Sequence, residues 1–121
     1  MSEYIDIIQE CAKRVWESLG PGYSERVYHN AMEVVLRLRG VSYETERIIP
    51  IEFMGHVVGN LRADLVVFKS LVVELKAVRA IKEDNKVQAL KYLELTGMKT
   101  ALLVNFPQPG GESVEFFLVE M

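Results

Sequence analysis

The sequence predicts a single α/β domain in which a mixed central β-sheet is flanked by helices, in the order ααβββαββ. Two amphipathic segments open the chain, three strand-like segments follow, and a further helical segment separates the third strand from the last two. The chain has 121 residues, half of them hydrophobic, which is enough for one core and too few for a second domain. We therefore expect one domain over residues 1–121.

Apolar residues at three- and four-residue spacings define the helices. The first helix is predicted over residues 3–19, and Gly20-Pro21-Gly22 breaks it. The second covers residues 23–39 and stops at Gly40, and the third covers residues 82–95 and stops before Gly97. The residues expected to face the core are Ile7, Ile8, Cys11, Val15 and Leu19 in the first helix and Val27, Ala31, Val34, Val35 and Leu38 in the second.

Five strands are predicted from β-branched and aromatic residues between turn signals. They cover residues 43–53, 57–68, 71–78, 100–106 and 114–119. The turn at residues 54–56 joins the first two, and the Pro- and Gly-rich residues 107–111 separate the last two.

Three charged side chains interrupt the apolar pattern of residues 61–78. They are Asp64, Glu74 and Lys76. An ion in a half-buried sheet costs several kcal/mol unless it is paired or bound to a metal. Two carboxylates and an ammonium that meet at one place would form a divalent-metal site with a lysine beside it.

The register of the second and third strands decides whether these groups meet. All odd positions in both strands, from Leu61 to Val67 and from Leu71 to Ala77, are apolar and are predicted to form one core face. Facing residues must then have numbers of equal parity, which requires a loop with an odd number of residues, or a bulge, around Lys69. In that register Asp64 lies opposite or diagonal to Glu74, at about 5 to 8 Å.

A second interpretation is an ordinary sheet surface, on which Asp64 and Glu74 form ion pairs with Arg62 and Lys76. The apolar neighbours Val66 and Val72 favour a covered face instead. From the residues alone, the two interpretations are about equally supported.

Three motifs resemble those of a known family. They are Gly22-Tyr23-Ser24-Glu25-Arg26-Val27-Tyr28, Arg62-Ala63-Asp64-Leu65 and Val73-Glu74-Leu75-Lys76-Ala77. In this order they resemble the GxxExxY proteins, a branch of the PD-(D/E)XK nuclease superfamily, from about residue 8 to the C-terminus. The resemblance implies a restriction-endonuclease-like fold and metal-assisted hydrolysis of phosphodiester bonds in nucleic acid.

The resemblance also assigns roles to individual residues. Asp64, Glu74 and the backbone carbonyl of Leu75 would hold Mg²⁺ or Mn²⁺, and Lys76 would orient or help to deprotonate a water. Glu25 would hold a second metal ion or complete the water network, with Tyr28 supporting it or merely packing. The predicted catalytic residues are therefore Glu25, Asp64, Glu74 and Lys76, together with Gln88 and Tyr92, which form the Gln-x-x-x-Tyr element of exonuclease-like members.

Some of these residues also have structural explanations that need no catalytic role. A carboxylate in a first helical turn, such as Glu25, is favoured by the helix dipole. Tyr92 could be a core residue. His29 and His56 have no partner histidine at ligand spacing, and Cys11 is predicted to pack on a helix face.

Charge and composition limit the possible binding partners and the expected cellular location. The net charge of −3 argues against indiscriminate binding of nucleic acid, although basic residues cluster between Lys76 and Lys91. An ordinary solvated helix face explains that cluster slightly better than a phosphate-binding patch does. Neither a membrane span nor a signal peptide is predicted, so we expect a cytoplasmic protein.

The competing function is a non-catalytic module that keeps the nuclease fold and binds a partner or forms a homo-oligomer. Tyr4, Trp16, Phe116 and Phe117 are the candidate contact residues.

Overall fold

The computed structural model describes residues 1–121, and the order of its elements is the predicted ααβββαββ. The helices are α1 (Ser2–Leu19), α2 (Glu25–Arg39) and α3 (Glu83–Thr96), and the strands are β1 (Tyr43–Phe53), β2 (His56–Val67), β3 (Leu71–Lys76), β4 (Thr100–Asn105) and β5 (Glu115–Glu120).

The five strands form one mixed sheet in the order β1-β2-β3-β4-β5. Neighbouring strands are antiparallel except β3 and β4, which run parallel because α3 carries the chain across between them. The larger hydrophobic cluster packs α1 and α2 on the sheet, and a smaller one packs α3. None of the three helices combines the length and apolar character that a membrane crossing requires.

The predicted inward face of α2 is confirmed in part, because Ala31 and Val35 pack against the larger hydrophobic cluster, but the helix is rotated by about one position from the prediction. Tyr28, Met32 and Leu36 are fully buried at four-residue spacing, whereas Val27, Val34 and Leu38 are exposed. The larger Tyr28, Met32 and Leu36 fill the space against α1 and the sheet and thereby set the rotation of the helix. The predicted packing roles of Ile8, Cys11 and Val15 in α1 are confirmed.

The predicted contact aromatics are largely occupied within the chain. Trp16 and Phe116 pack against the larger cluster, and Phe117 packs against the smaller one. The Tyr4 ring stacks on Phe68 with a centroid distance of 4.0 Å. Trp16, Phe116 and Phe117 are thus partly buried against the two clusters, whereas Tyr4 is 37% exposed.

The predicted parity of the β2–β3 register is confirmed, because Leu65 faces Val73 and Val67 faces Leu71 across a three-residue loop. The prediction of one continuous odd face is wrong. Leu65 packs on the α1–α2 side, whereas Ala63 packs on the α3 side.

Glu46 explains this switch of faces. Its backbone is left-handed, with φ 53°, and the β1–β2 pairing skips Glu46 and Asp64 between Thr45↔Leu65 and Arg47↔Ala63. The pleat is therefore interrupted at Asp64, and the side chains on its two sides point to opposite faces of the sheet.

Candidate active site

All six predicted catalytic side chains line one cleft of about 400 Å³. The cleft lies where β2 and β3 separate, and α2 and α3 supply its remaining walls. The residues that it brings together are Glu25, Asp64, Glu74, Lys76, Gln88 and Tyr92, and its further lining includes Ile48, Asn60, Leu61, Arg62 and Asn85.

Asp64 is held in one orientation by the neighbouring strand. Its carboxylate is 6% exposed, and Oδ2 accepts a hydrogen bond of 2.7 Å from the backbone N–H of Leu75. Regular β2–β3 pairing ends one residue earlier, at Leu65↔Val73. In an extended strand the N–H and C=O of one residue point the same way, so the Leu75 carbonyl also faces this fork.

Glu74 carries the strongest electrostatic perturbation in the cleft. Burial raises the pKa of its carboxyl to about 9, and the negative charge of Asp64 adds to the effect. The positive charge of Lys76 opposes it without cancelling it. Without a cation, the Glu74 carboxyl is therefore protonated at neutral pH.

Lys76 is partly buried and forms no ion pair in the structure. Arg62, Asp64 and Glu74 are likewise absent from the six ion pairs within 4.0 Å. The interpretation of these residues as paired surface charges is thus wrong. The ammonium of Lys76 is available to a ligand in the cleft.

Glu25 is the first residue of α2 and is partly buried at the cleft. Burial raises the pKa of its carboxyl, while the positive charge of Lys76 acts in the opposite direction. Glu25 and Lys76 are therefore electrostatic neighbours, although they form no ion pair. A carboxyl beside an ammonium can exchange hydrogen bonds with a water.

Tyr28 fastens the loop that precedes Glu25. Its hydroxyl donates a hydrogen bond of 2.6 Å to the Gly20 carbonyl and accepts one of 3.4 Å from the Tyr23 N–H. Gly22, between these two residues, has φ 108°, a conformation that favours glycine. Tyr28 makes no hydrogen bond with Glu25, so it acts on the loop and through it on the start of α2.

Tyr92 points a hydroxyl with no partner into the same region. The side chain is 1% exposed, and its hydroxyl is the one buried side-chain polar atom without a hydrogen-bond partner. Burial raises its pKa. Leaving a buried hydroxyl unpaired costs about 1–3 kcal/mol. Gln88, one helical turn earlier, is exposed at the cleft.

Asn105 supports the site and was not predicted. It is fully buried at the end of β4, accepts a hydrogen bond from the Val78 N–H and donates to the Val78 carbonyl, both at 2.9 Å. It also donates to Glu115 at 2.9 Å. Asn105 therefore fixes the chain just after Lys76. An asparagine that ends an otherwise apolar strand was the available signal.

The two histidines and the acidic residues form no further cluster. His29 is buried, with Nε2 2.9 Å from the Thr45 hydroxyl and 3.1 Å from Glu33. His56 is exposed at the start of β2. No group of three or more His, Cys, Asp or Glu side chains stands at metal-ligand distances.

Comparison with solved structures supports the fold. The crystal structure of SSO0001 is similar to 78% of this chain, with a TM-score of 0.59 and 27% sequence identity. The match covers 48% of that protein, so this chain spans about half its length. An alkaline exonuclease (LHK-Exo) from Laribacter hongkongensis has a TM-score of 0.45 and 9% identity over 95% of this chain and 68% of its own.

Comparison of sequences identifies the family. No curated protein matches the chain significantly. The profile of the PD-(D/E)XK nuclease superfamily matches residues 2–115. This match covers all three helices and reaches the first residue of β5. The chain therefore belongs to the PD-(D/E)XK nuclease superfamily.

Proposed function

We propose that this protein is a divalent-metal-dependent nuclease of the GxxExxY branch. The observation that carries the proposal is the Asp64–Glu74 carboxyl pair, which lies in a cleft beside an unpaired Lys76. In a structural ion-pair network, the two carboxyls and Lys76 would pair with one another. Here they are unpaired, so the carboxyls can bind a cation and Lys76 can bind an anion from outside the protein.

The oxygen donors of the cleft fit Mg²⁺ or Mn²⁺. The two carboxylates and the Leu75 carbonyl are hard ligands, and Mg²⁺ is commonly bound by one or two carboxylates, with waters and phosphate oxygens completing its coordination. Such a site needs no third acidic side chain, which agrees with the lack of a larger cluster. When bound, the ion supplies charge stabilisation at a phosphoryl oxygen and a water of lowered pKa.

The remaining side chains of the cleft have separate tasks in phosphodiester hydrolysis. Lys76 orients the attacking water and offsets the negative charge that develops on the phosphate. Glu25, whose pKa is raised by burial, holds a water and can take up its proton. The Tyr92 hydroxyl donates to a phosphate or water oxygen, and Gln88 contacts the nucleic acid from the rim.

The test compares Asp64→Asn with the wild type. Asparagine keeps an acceptor for the Leu75 N–H, so the fold is preserved while the carboxylate charge is lost. Mg²⁺ and Mn²⁺ are titrated calorimetrically, and cleavage of single- and double-stranded DNA and RNA oligonucleotides is followed. The matched control is Asp6→Asn, on the exposed side of α1.

We expect the wild type and Asp6→Asn to bind the ion and to cleave, and Asp64→Asn to lose both properties while its thermal stability in EDTA is retained. A folded wild type that binds neither ion, even with an oligonucleotide present, would contradict the proposal. That result would favour the non-catalytic module, and sedimentation of the same samples would then show whether the chain forms a homo-oligomer.

A further inference from the structure

A second, smaller cleft lies beside the candidate active site, and we call it the Tyr23 cleft. It is lined by Gly22 and Tyr23 before α2, by Ala77 after β3, and by residues 106–109 after β4. Its volume is about 250 Å³. Pockets for drug-sized ligands start at about 300 Å³, so this cleft is suited to a smaller group.

The Tyr23 wall of this cleft is preorganised. The Tyr23 ring is 51% exposed and meets the Tyr28 ring edge to face at a centroid distance of 6.2 Å. The Tyr28 ring in turn stacks on Phe106 at 4.5 Å with an interplanar angle of 4°. Together with the Tyr23 N–H bond to the Tyr28 hydroxyl, these contacts hold an exposed aromatic face at low entropic cost.

The opposite wall is also fixed. The Gly111 N–H donates to the Gln108 carbonyl at 3.0 Å, which closes the turn after β4. A side chain at Gly111 would collide with Pro107, because an added Cβ would lie 2.5 Å from the proline ring. The Trp16 indole N–H donates to the Glu112 carbonyl at 3.3 Å and ties this turn to α1.

The chemistry of the Tyr23 cleft favours a flat, uncharged group. No charged side chain lines it, and its only polar side chains are the Tyr23 hydroxyl and the exposed amide of Gln108. A stacked ring on Tyr23 would leave its edge open to the Gln108 amide, which can both donate and accept hydrogen bonds.

The Tyr23 cleft adjoins the active site along two chain segments. Ala77 directly follows Lys76, and Tyr23 stands two residues before Glu25. Helix α2 begins next to Tyr23, and its N-cap residue Ser24 makes no side-chain cap. The Val27 N–H donates to the Ser24 carbonyl at 3.1 Å, which leaves the N–H groups of Glu25 and Arg26 for a phosphate oxygen. A nucleic-acid strand with one phosphate beside Lys76 can therefore place an adjacent base at Tyr23.

We propose that the Tyr23 cleft stacks one nucleobase of a single strand whose phosphate lies in the active site. This inference rests on the proposed nuclease function. Stacking on an aromatic ring tolerates all four bases, so the cleft provides affinity and positioning without strong sequence preference.

The test measures the affinity of a fluorescent single-stranded DNA ten-mer by anisotropy in EDTA and low salt. All proteins carry Glu74→Gln, which removes one of the two proposed metal-binding carboxyls and prevents cleavage. In this background, Tyr23→Ala and Tyr23→Phe are compared with Phe53→Ala, an exposed aromatic at the far end of β1. A second series uses ten-mers that each carry one abasic position.

We expect Tyr23→Ala to weaken binding by about 5- to 150-fold, whereas Tyr23→Phe and Phe53→Ala stay within about twofold. For the background protein, one abasic position should lower affinity by a similar factor, and that loss should vanish in Tyr23→Ala. The abasic series needs no Tyr23 variant, so it tests the inference even if Tyr23→Ala does not fold.

Two contrary results are distinguishable. If the background protein binds and Lys76→Met weakens binding, but neither Tyr23→Ala nor any abasic position does, the stacking inference is overturned and the nuclease proposal survives. If the background protein binds no oligonucleotide, the stacking inference is overturned, and the nuclease proposal falls with it only if the wild type also cleaves no oligonucleotide in Mg²⁺ or Mn²⁺.

Discussion

Replacing Glu74 with glutamine should stabilise the metal-free protein at alkaline pH. The folded-state pKa of Glu74 is raised from 4.5 to about 9, chiefly by burial. A carboxyl with a raised folded-state pKa contributes stability that is complete below the unfolded pKa and is lost as the pH rises through the folded pKa. Glutamine resembles the protonated carboxyl at every pH, so it avoids this loss.

The size of the effect follows from the same linkage. If the pKa of Glu74 rises from 4.5 in the unfolded state to about 9 in the folded state, the wild type loses at most about 5 kcal/mol of stability by pH 8. Water entry around an ionised carboxylate lowers this cost, and we expect Glu74→Gln to raise the free energy of unfolding by about 1–3 kcal/mol at pH 8. At pH 5 the gain should fall below about 1 kcal/mol.

Urea denaturation in EDTA at several pH values between 5 and 9 measures this difference. Glu17→Gln, on the exposed side of α1, is the matched control and should show no gain. Divalent ions should offset or reverse this difference: at 100 times its Kd, Mg²⁺ or Mn²⁺ adds about 2.7 kcal/mol to the wild type and nothing to Glu74→Gln. Parallel pH profiles of the wild type and Glu74→Gln would refute the reasoning.

Three further substitutions test individual contacts. Tyr92→Phe removes the unpartnered hydroxyl and should raise the free energy of unfolding, measured in urea, by about 1 kcal/mol. The same substitution should lower the rate of oligonucleotide cleavage. A loss of stability would show that the hydroxyl has a partner. Lys76→Met should lower the rate of oligonucleotide cleavage at least about 100-fold at an unchanged melting temperature, because Lys76 forms no ion pair; equal rates would remove it from the mechanism. Asn105→Ala loses three partly buried hydrogen bonds and should destabilise the protein by about 2–4 kcal/mol in the same urea assay. A change below about 0.5 kcal/mol would contradict its structural role.

The sheet was predictable from the sequence because its signals are local. The turn at Gly55 and the apolar runs of β3 and β4 define strand positions without reference to the rest of the chain. Equal parity across the β2–β3 loop follows from the period of two alone. The rotation of α2 did not follow, because apolar residues occupy more than one of its faces and tertiary packing selects among them.

The switch of faces at Asp64 depends on a distant residue. Glu46 adopts a left-handed conformation on the neighbouring strand, and its carboxylate pairs with Arg26 on α2. Nothing in the residues around Asp64 signals this. Local sequence signals also did not predict that Glu25 and Tyr92 meet where β2 and β3 separate. The family resemblance implied it, whereas helix periodicity could not show which residues from different helices come together.

Each of the three defining residues of the Gly-x-x-Glu-x-x-Tyr motif has a separate structural role. Gly22 permits the left-handed turn, and the Tyr28 hydroxyl bridges Gly20 and Tyr23 across it. Tyr28 also stacks on Phe106, which follows directly after β4 and whose N–H donates to the Lys76 carbonyl. The motif thus ties the start of α2 to the strand end that carries Lys76. The spacing of three residues on each side of Glu25 is what allows one tyrosine to hold the loop while Glu25 faces the cleft.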